Sequence, residues 1–355
     1  MSAIAEKGGG TFRGIKLLLC ENPLPPIEEA IVAAQAEVPK SNYYTEPFSQ
    51  PLRQLIAEQI GVPEGFIHIN AGSELILRQI FDRFGKQVHL LTPTYALFPE
   101  IGRQYSETRL LPEQNFVFDL NQLVIPEGTT LAVIVNPNNP NGAIFNMEPL
   151  PVLLRRHPET HFLVDEAFID FAGESVGHMV PEYSNLLVTR TLSKAHSLAG
   201  FRVGYGIFPK AIAEDMNNHN DAYPLARPSQ AAAIATLAHK EKILLRTQQL
   251  HAWTLELASQ LRSLGVHTYP TTTYFFLADF APFDATLLAG VLKAQGILVK
   301  PLNDPILGAG FMRITTALPE DNRIFVNTLR ELIATEKFNN ALKGDDDNVE
   351  PPSES

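Results

Sequence analysis

The chain has one cysteine and one tryptophan in 355 residues. A lone thiol, Cys20, cannot close an internal disulfide, so no covalent framework holds this fold, and such usage fits a reducing compartment. Long apolar runs are missing too: none approaches the roughly 18–20 residues that span a bilayer. The opening stretch MSAIAEKGGGTFRGIK lacks the basic-then-apolar layout of a secretory leader. A cytoplasmic protein without a membrane partner is expected. Positive charge is scarce, with 28 Lys and Arg against 39 Asp and Glu and a net charge of −11. Without a basic stripe, neither nucleic acid nor an anionic membrane is an expected partner. Five of the acids (Asp345, Asp346, Asp347, Glu350 and Glu354) crowd the last residues with no base among them. Residues 341–355 therefore read as a disordered, solvated tail. No metal site is expected. Any anion must be held by a few placed Arg, Lys and backbone N–H groups.

What remains is an ordinary globular composition, 45% hydrophobic and 19% charged, long enough for a large core and two domains. Short apolar runs at 88–91, 131–135, 162–164, 186–189 and 202–208 alternate with amphipathic stretches. This is the pattern of an α/β domain with a mainly parallel sheet flanked by helices. Helical periodicity marks 51–60 and 74–84, and a longer helix is expected from about 229 to 264, ending at Gly265. A smaller α/β unit follows, with strands at 273–278, 297–299 and 312–315, a helix at 285–295, and a closing helix starting at Pro319. The expected division is an N-terminal segment 1–45 associated with the small domain, a large domain 46–245 and a small domain 246–340.

In open parallel sheets, ligands bind beyond the carboxyl ends of the strands. The residues following four successive strands here are Thr92-Pro93-Thr94-Tyr95, Asn136-Pro137-Asn138-Asn139-Pro140-Asn141-Gly142, Asp165-Glu166-Ala167-Phe168 and Thr191-Leu192-Ser193-Lys194. An aromatic, an amide, a carboxylate and an amine are thus aimed at one rim. Taken singly, these are a turn, a helix cap or a solvated lysine. Their order and convergence carry the inference.

Thr191-Leu192-Ser193-Lys194 followed by Leu198-Ala199-Gly200-Phe201-Arg202-Val203-Gly204-Tyr205 resembles the Schiff-base segment of class I and II aminotransferases of fold type I, which use pyridoxal 5'-phosphate. The closest resemblance is to the histidinol-phosphate aminotransferase branch. The Asn139 and Asp165 segments, Pro93-Thr94-Tyr95 and Met312-Arg313-Ile314-Thr315 match that branch in order and spacing, over roughly 21–332.

The resemblance implies the following roles. Lys194 forms the Schiff base and moves the proton at the substrate Cα. Asp165 keeps the pyridine nitrogen protonated, so that the ring acts as an electron sink. Asn139 donates to the ring oxygen, and Tyr95 stacks on the ring face. The phosphate falls to Gly72 and Ser73 at a helix N-terminus, where free N–H groups favour an anion, with Thr191, Ser193 and Arg202. Arg313 clamps the substrate carboxylate, for which its fork is better shaped than lysine. Tyr44 crosses to the neighbouring subunit's phosphate, which makes a homodimer the active unit.

Three departures bear on substrate. Phe168 stands where a tyrosine hydroxyl usually meets the ring oxygen. Lys300 replaces an arginine used for the substrate's phosphate. The loop containing Glu21 and Asn22, both expected at the substrate, lacks its common glycine, and Asn141 replaces a threonine. The expected reaction is transamination between an amino acid or amino-alcohol phosphate and a 2-oxo acid. The alternative is decarboxylation, elimination or cyclisation on the same cofactor, as in threonine-phosphate decarboxylase-like or capreomycidine-synthase-like enzymes. A DNA-binding regulator with such a domain is disfavoured, because the residues before Tyr43 are too few and not basic.

Overall fold

The computed structural model describes residues 14–102, 104–302, 304 and 306–334; the tail read at 341–355 lies outside them. The described residues form two compact units. The larger holds Glu21–His251 and Pro270–Tyr274, and the smaller holds the stretch up to Cys20, Ala252–Tyr269 and the residues from Phe275 on.

The larger unit is built on a seven-stranded sheet: β1 (Ile67–Asn70), β2 (Val88–Thr92), β3 (Tyr105–Arg109), β4 (Leu131–Val135), β5 (His161–Asp165), β6 (Leu186–Thr191) and β7 (Gly204–Ile207). Their spatial order is β1-β7-β6-β5-β4-β2-β3. Neighbours from β3 through β6 pair parallel, and β7 runs antiparallel to both β6 and β1. This is the mainly parallel, helix-flanked sheet that the alternating pattern predicts. Strand β4 is buried along its whole length, as expected where a parallel sheet is covered on both faces. On one face the helix Ser73–Phe84 lays Ile76, Leu77, Ile80 and Phe81 against Val133, Leu163 and Leu187. Each such side chain contributes about 1.5–3 kcal/mol on burial. The helix stops at Gly85, whose N–H returns to the Phe81 carbonyl.

The smaller unit carries a four-stranded antiparallel sheet, Lys300–Pro301, Phe311–Thr315, Phe275–Asp279 and His267–Thr268 in spatial order. Leu17, Leu261, Phe276, Leu288, Ile314 and Phe325 form the centre of its core. A separate parallel pair joins Ile15–Lys16 to Ile297–Leu298.

The structure corrects the sequence reading at three places. The helix expected over 229–264 is two helices, Arg227–Leu237 and Lys240–Ser263. At the break His239 donates from its ring Nδ1 to the Ala235 carbonyl at 2.7 Å. The His239 backbone N–H turns instead to Thr236, a tighter turn than the helix can continue. The strand expected from Arg202 starts at Gly204, because Arg202 lies in the left-handed region at φ 54°. Strands β1 and β3 were not read at all. β3 is a polar edge strand, and β1 hides two polar residues: buried His68 meets Asn217 at 2.7 Å and Gln79 at 3.0 Å.

Candidate active site

Register places the sequence-predicted rim residues together in the larger unit. Val135 is opposite Asp165, and Asp165 is opposite Thr189. Thr191 is opposite Gly204, which is itself opposite Asn70. The ends of β4, β5, β6 and β1 and the start of β7 thus form one row, with Lys194 three residues past it.

Asp165 is 3% exposed and accepts from Thr189 Oγ1 at 3.0 Å and from the Ala167 backbone N–H. Burial pushes its pKa up to about 6, against the pull of these donors and of the Lys194 charge. A buried carboxylate raised in this way favours a cation beside it. The Lys194 ammonium lies 5.5 Å from the centre of the Phe168 ring, which is itself buried. The Lys194 backbone is held as well: Asn22 Nδ2 donates to its carbonyl at 2.9 Å. Asn22 therefore meets Lys194 as a loop clamp, while Glu21 is exposed.

Next to this pair is an anion-shaped cup. Gly72, at φ 90°, caps the helix that starts at Ser73. A Cβ on Gly72 would fall 2.2 Å from Arg202 Nη2, and a Cβ on Gly204 would fall 2.1 Å from the Ser73 nitrogen. Both glycines are needed so that the guanidinium and the helix N-terminus can close on one spot. Thr191 and Ser193 stand beside it, linked hydroxyl to hydroxyl at 3.0 Å, and the Ser193 N–H donates to Thr191 Oγ1 at 3.1 Å.

The Asn139 loop is fixed by its neighbours. Asn138 Nδ2 donates to the Pro93 carbonyl at 3.0 Å and so ties this loop to the one bearing Tyr95. Gly142, at φ 74°, lets Thr271 come so close that a Cβ would lie 1.9 Å from its Oγ1. Tyr95 is half-buried and meets Phe98 edge-on at 5.7 Å between ring centres. Buried Tyr274 packs 6.1 Å from Phe168 and 4.8 Å from Phe171. Sequence reading missed Thr189, Thr271 and Tyr274. Thr189 was findable as the residue opposite Asp165 once strand register is assumed. Nothing in the sequence spacing pointed to the other two.

Arg313 and Lys300 lie in the smaller unit and are cross-strand partners. Arg313 is half-buried, with Nη2 donating to the Leu18 carbonyl and its guanidinium 5.7 Å from the Phe275 ring. Two cations directly opposite on one antiparallel pair are unfavourable by themselves and become favourable when an anion lies between them. Tyr44 is 77% exposed and stacks on Tyr223 at 4.4 Å, with its carbonyl accepting from Arg227 Nη1 at 2.8 Å.

On this geometry the residues fit pyridoxal phosphate. There is a lysine beside a buried carboxylate, and next to them a cup whose two glycines make room for a guanidinium and a helix N-terminus. The sequence profile of the aminotransferase class I and II family matches residues 15–329, and the chain belongs to that family. It is an aminotransferase. Among its relatives, the histidinol-phosphate aminotransferase of Acinetobacter baumannii strain SDF is 31% identical over 329 residues, 89% of this chain and 90% of that protein. The fold matches that of the Sinorhizobium meliloti histidinol-phosphate aminotransferase solved with pyridoxal-5'-phosphate (TM-score 0.81, 21% identity, 93% of this chain and 94% of that one). It also matches L-threonine-O-3-phosphate decarboxylase from Porphyromonas gingivalis (TM-score 0.80, 21% identity, 90% and 100%). Among the described residues no helix is long and apolar enough to cross a membrane.

Proposed function

We propose that this aminotransferase moves an amino group between an amino acid or amino-alcohol phosphate resembling histidinol phosphate and a 2-oxo acid, with pyridoxal phosphate held on Lys194. The observation that carries this reading is the buried Asp165, raised to about 6, beside Lys194 and the Gly72–Arg202 cup. When bound, the cofactor supplies an electron sink for charge developing at the substrate Cα. Asp165 gives up its burial penalty by pairing with a protonated ring nitrogen. Lys194 takes and returns the Cα proton. Asn139 would hold the ring oxygen, Tyr95 would stack on the ring face, and Phe168 would stand on the ring-oxygen side without a hydroxyl to offer it. Thr191, Ser193, Arg202, Gly72 and Ser73 hold the phosphate and so fix the ring over the lysine.

Arg313 binds the substrate's carboxylate and Lys300 its distal phosphate; their pairing across two strands supports a doubly anionic substrate. Asn22 and Glu21 border the substrate through the loop that clamps Lys194. The reading takes the active unit as a homodimer in which Tyr44 reaches the partner's phosphate. The exposed Tyr43, Tyr44 and Val38 favour a surface that another copy covers. We read the compartment as cytoplasmic and the two domains as the two compact units described above, the N-terminal stretch joining the smaller one only as far as Cys20. The alternative raised by Phe168 and the N-terminal loop, decarboxylation or elimination and cyclisation, is supported by the relatives only through a fold likeness to a decarboxylase and is not preferred.

The test is a half-reaction: holoprotein is mixed with histidinol phosphate, histidinol or single amino acids, and the released cofactor is identified by mass spectrometry. Recovery of pyridoxamine phosphate with a matching oxo product supports the reading. Release of carbon dioxide with the cofactor unchanged contradicts it.

A further inference from the structure

The strand alternation that turns Asp165 and Thr189 toward the rim turns their neighbours Glu166 and Arg190 the other way. There they meet a second, largely buried set of polar groups. Glu166 accepts from Ser175 Oγ at 2.6 Å and from the Val176 N–H at 2.7 Å, and lies 3.9 Å from Arg190 Nε. Arg190 Nη2 donates to Asp170 Oδ1 at 2.6 Å, and its guanidinium lies over the Tyr205 ring at 5.8 Å. Asp170 Oδ2 is 3.8 Å from His196 Nδ1. His196, two residues past Lys194, is 6% exposed, and its Nδ1 has no hydrogen-bond partner. Burial, aided by the Arg190 charge, outweighs Asp170 and holds this imidazole below its ordinary pKa.

Two further observations bear on what the set is for. It borders a cavity of about 260 Å³ whose other wall is mainly apolar, with Ile56, Ile60, Leu237 and Ile243, and also carries Gln59 and Lys240. These charges are therefore not filling a close-packed core, for which apolar groups serve as well or better. The loop after Lys194 also holds two non-glycine residues in the left-handed region, Ser197 at φ 59° and Arg202 at φ 54°. Such strain persists only where surrounding contacts over-determine the backbone.

We propose that Glu166, Arg190, Asp170 and His196 form a positioning network behind the sheet that fixes the Lys194 loop against the Asp165 strand. The inference rests on Lys194 and Asp165 being the cofactor's partners. The network spans the end of β5, the turn bearing Asp170 and β6, and reaches the lysine loop through the approach of Asp170 to His196, so weakening it loosens the loop against the strand. None of its four residues needs to touch the cofactor.

The experiment compares the holoprotein with Asp170→Asn and with Asp170→Glu, which keeps the charge. The charged and titratable groups around the loop are Asp165, Glu166, Asp170, Arg190, Lys194, His196, Arg202, Tyr205 and, across the cavity, Lys240. In Asp170→Asn, amide exchange over 192–202 is expected to rise about tenfold while β4 keeps its protection. The pH midpoint of the cofactor's absorbance band is expected to move by about half a unit or more. Asp170→Glu is expected to bring both back toward the parent. Unchanged exchange and midpoint would overturn the proposal, and so would exchange that rises equally in β4, since that reports general loss of stability. If Asp170→Asn does not fold, His196→Phe removes the ring nitrogen at similar volume and is expected to shift both readouts in the same direction. Borohydride capture of the parent's cofactor on another lysine would defeat the underlying site reading instead, and the exchange comparison would still stand.

Discussion

Asp165 and Glu166 are adjacent in sequence, equally buried, and both raised in pKa by desolvation. Their surroundings differ. Glu166 has a serine, a backbone N–H and an arginine that is itself anchored to Asp170. Burial alone would lower the Arg190 guanidinium, but Tyr205, Asp170 and Glu166 around it keep its pKa raised. Asp165 has a threonine, a backbone N–H and the charge of Lys194, which together do not offset its burial. One carboxylate is compensated by the fold, and the other is left for a ligand to compensate. The difference separates a residue that serves structure from one that costs stability for the sake of a site.

The largest effect belongs to the ligand-facing side. Lys194→Ala should lower the transamination rate by at least about 10³-fold while thermal unfolding of the apoprotein stays near the parent's. Activity within tenfold of the parent would remove Lys194 from the chemistry.

Asp165→Asn should separate activity from stability. In the apoprotein the carboxylate's pKa is raised from an ordinary 3.8 to about 6. Well below pH 3.8 it is protonated in both folded and unfolded chains and costs nothing. The cost builds as pH rises from 4 to 6 and is complete above that, reaching about 3 kcal/mol as an upper figure. Asp165→Asn should therefore stabilise the apoprotein in denaturant titrations at pH 7–8, gain little at pH 4, and lose most activity. Equal stability at both pH values would show that Asp165 is already compensated.

Glu166→Ala should do the reverse and destabilise the apoprotein by about 3 kcal/mol, since it strands Arg190 and two donors. A neutral result in the same titration would erase the contrast between the two carboxylates. The smallest effect is outside the larger unit. Lys300→Ala should raise KM about tenfold for phosphorylated substrates and leave their unphosphorylated counterparts unchanged. A uniform rise would take Lys300 out of phosphate binding.

How much of this was legible in the sequence follows from the same comparison. The rim residues stand at strand ends, so a run of apolar residues followed by Asp165, Asn139 or Lys194 announces them. Strand β4 is legible because it is apolar throughout, and β3 is not, because an edge strand reading Tyr-Ser-Glu-Thr-Arg has no buried face to mark it. Glu166 and Arg190 lie inside the same motifs but signal nothing, since their partners Asp170 and His196 come together only through register and turns. The break at His239 depends on one side-chain hydrogen bond that no periodicity reports. Gly72 and Gly204 stood in the motif, but their necessity is a matter of approach distances that only the fold supplies.

The most direct test of the central claim is to reduce the holoprotein with borohydride, digest it, and locate the cofactor's added mass by peptide sequencing. The account predicts the adduct on Lys194 alone, lost in Lys194→Ala. An adduct on any other lysine, or none at all in protein that still transaminates, would contradict it.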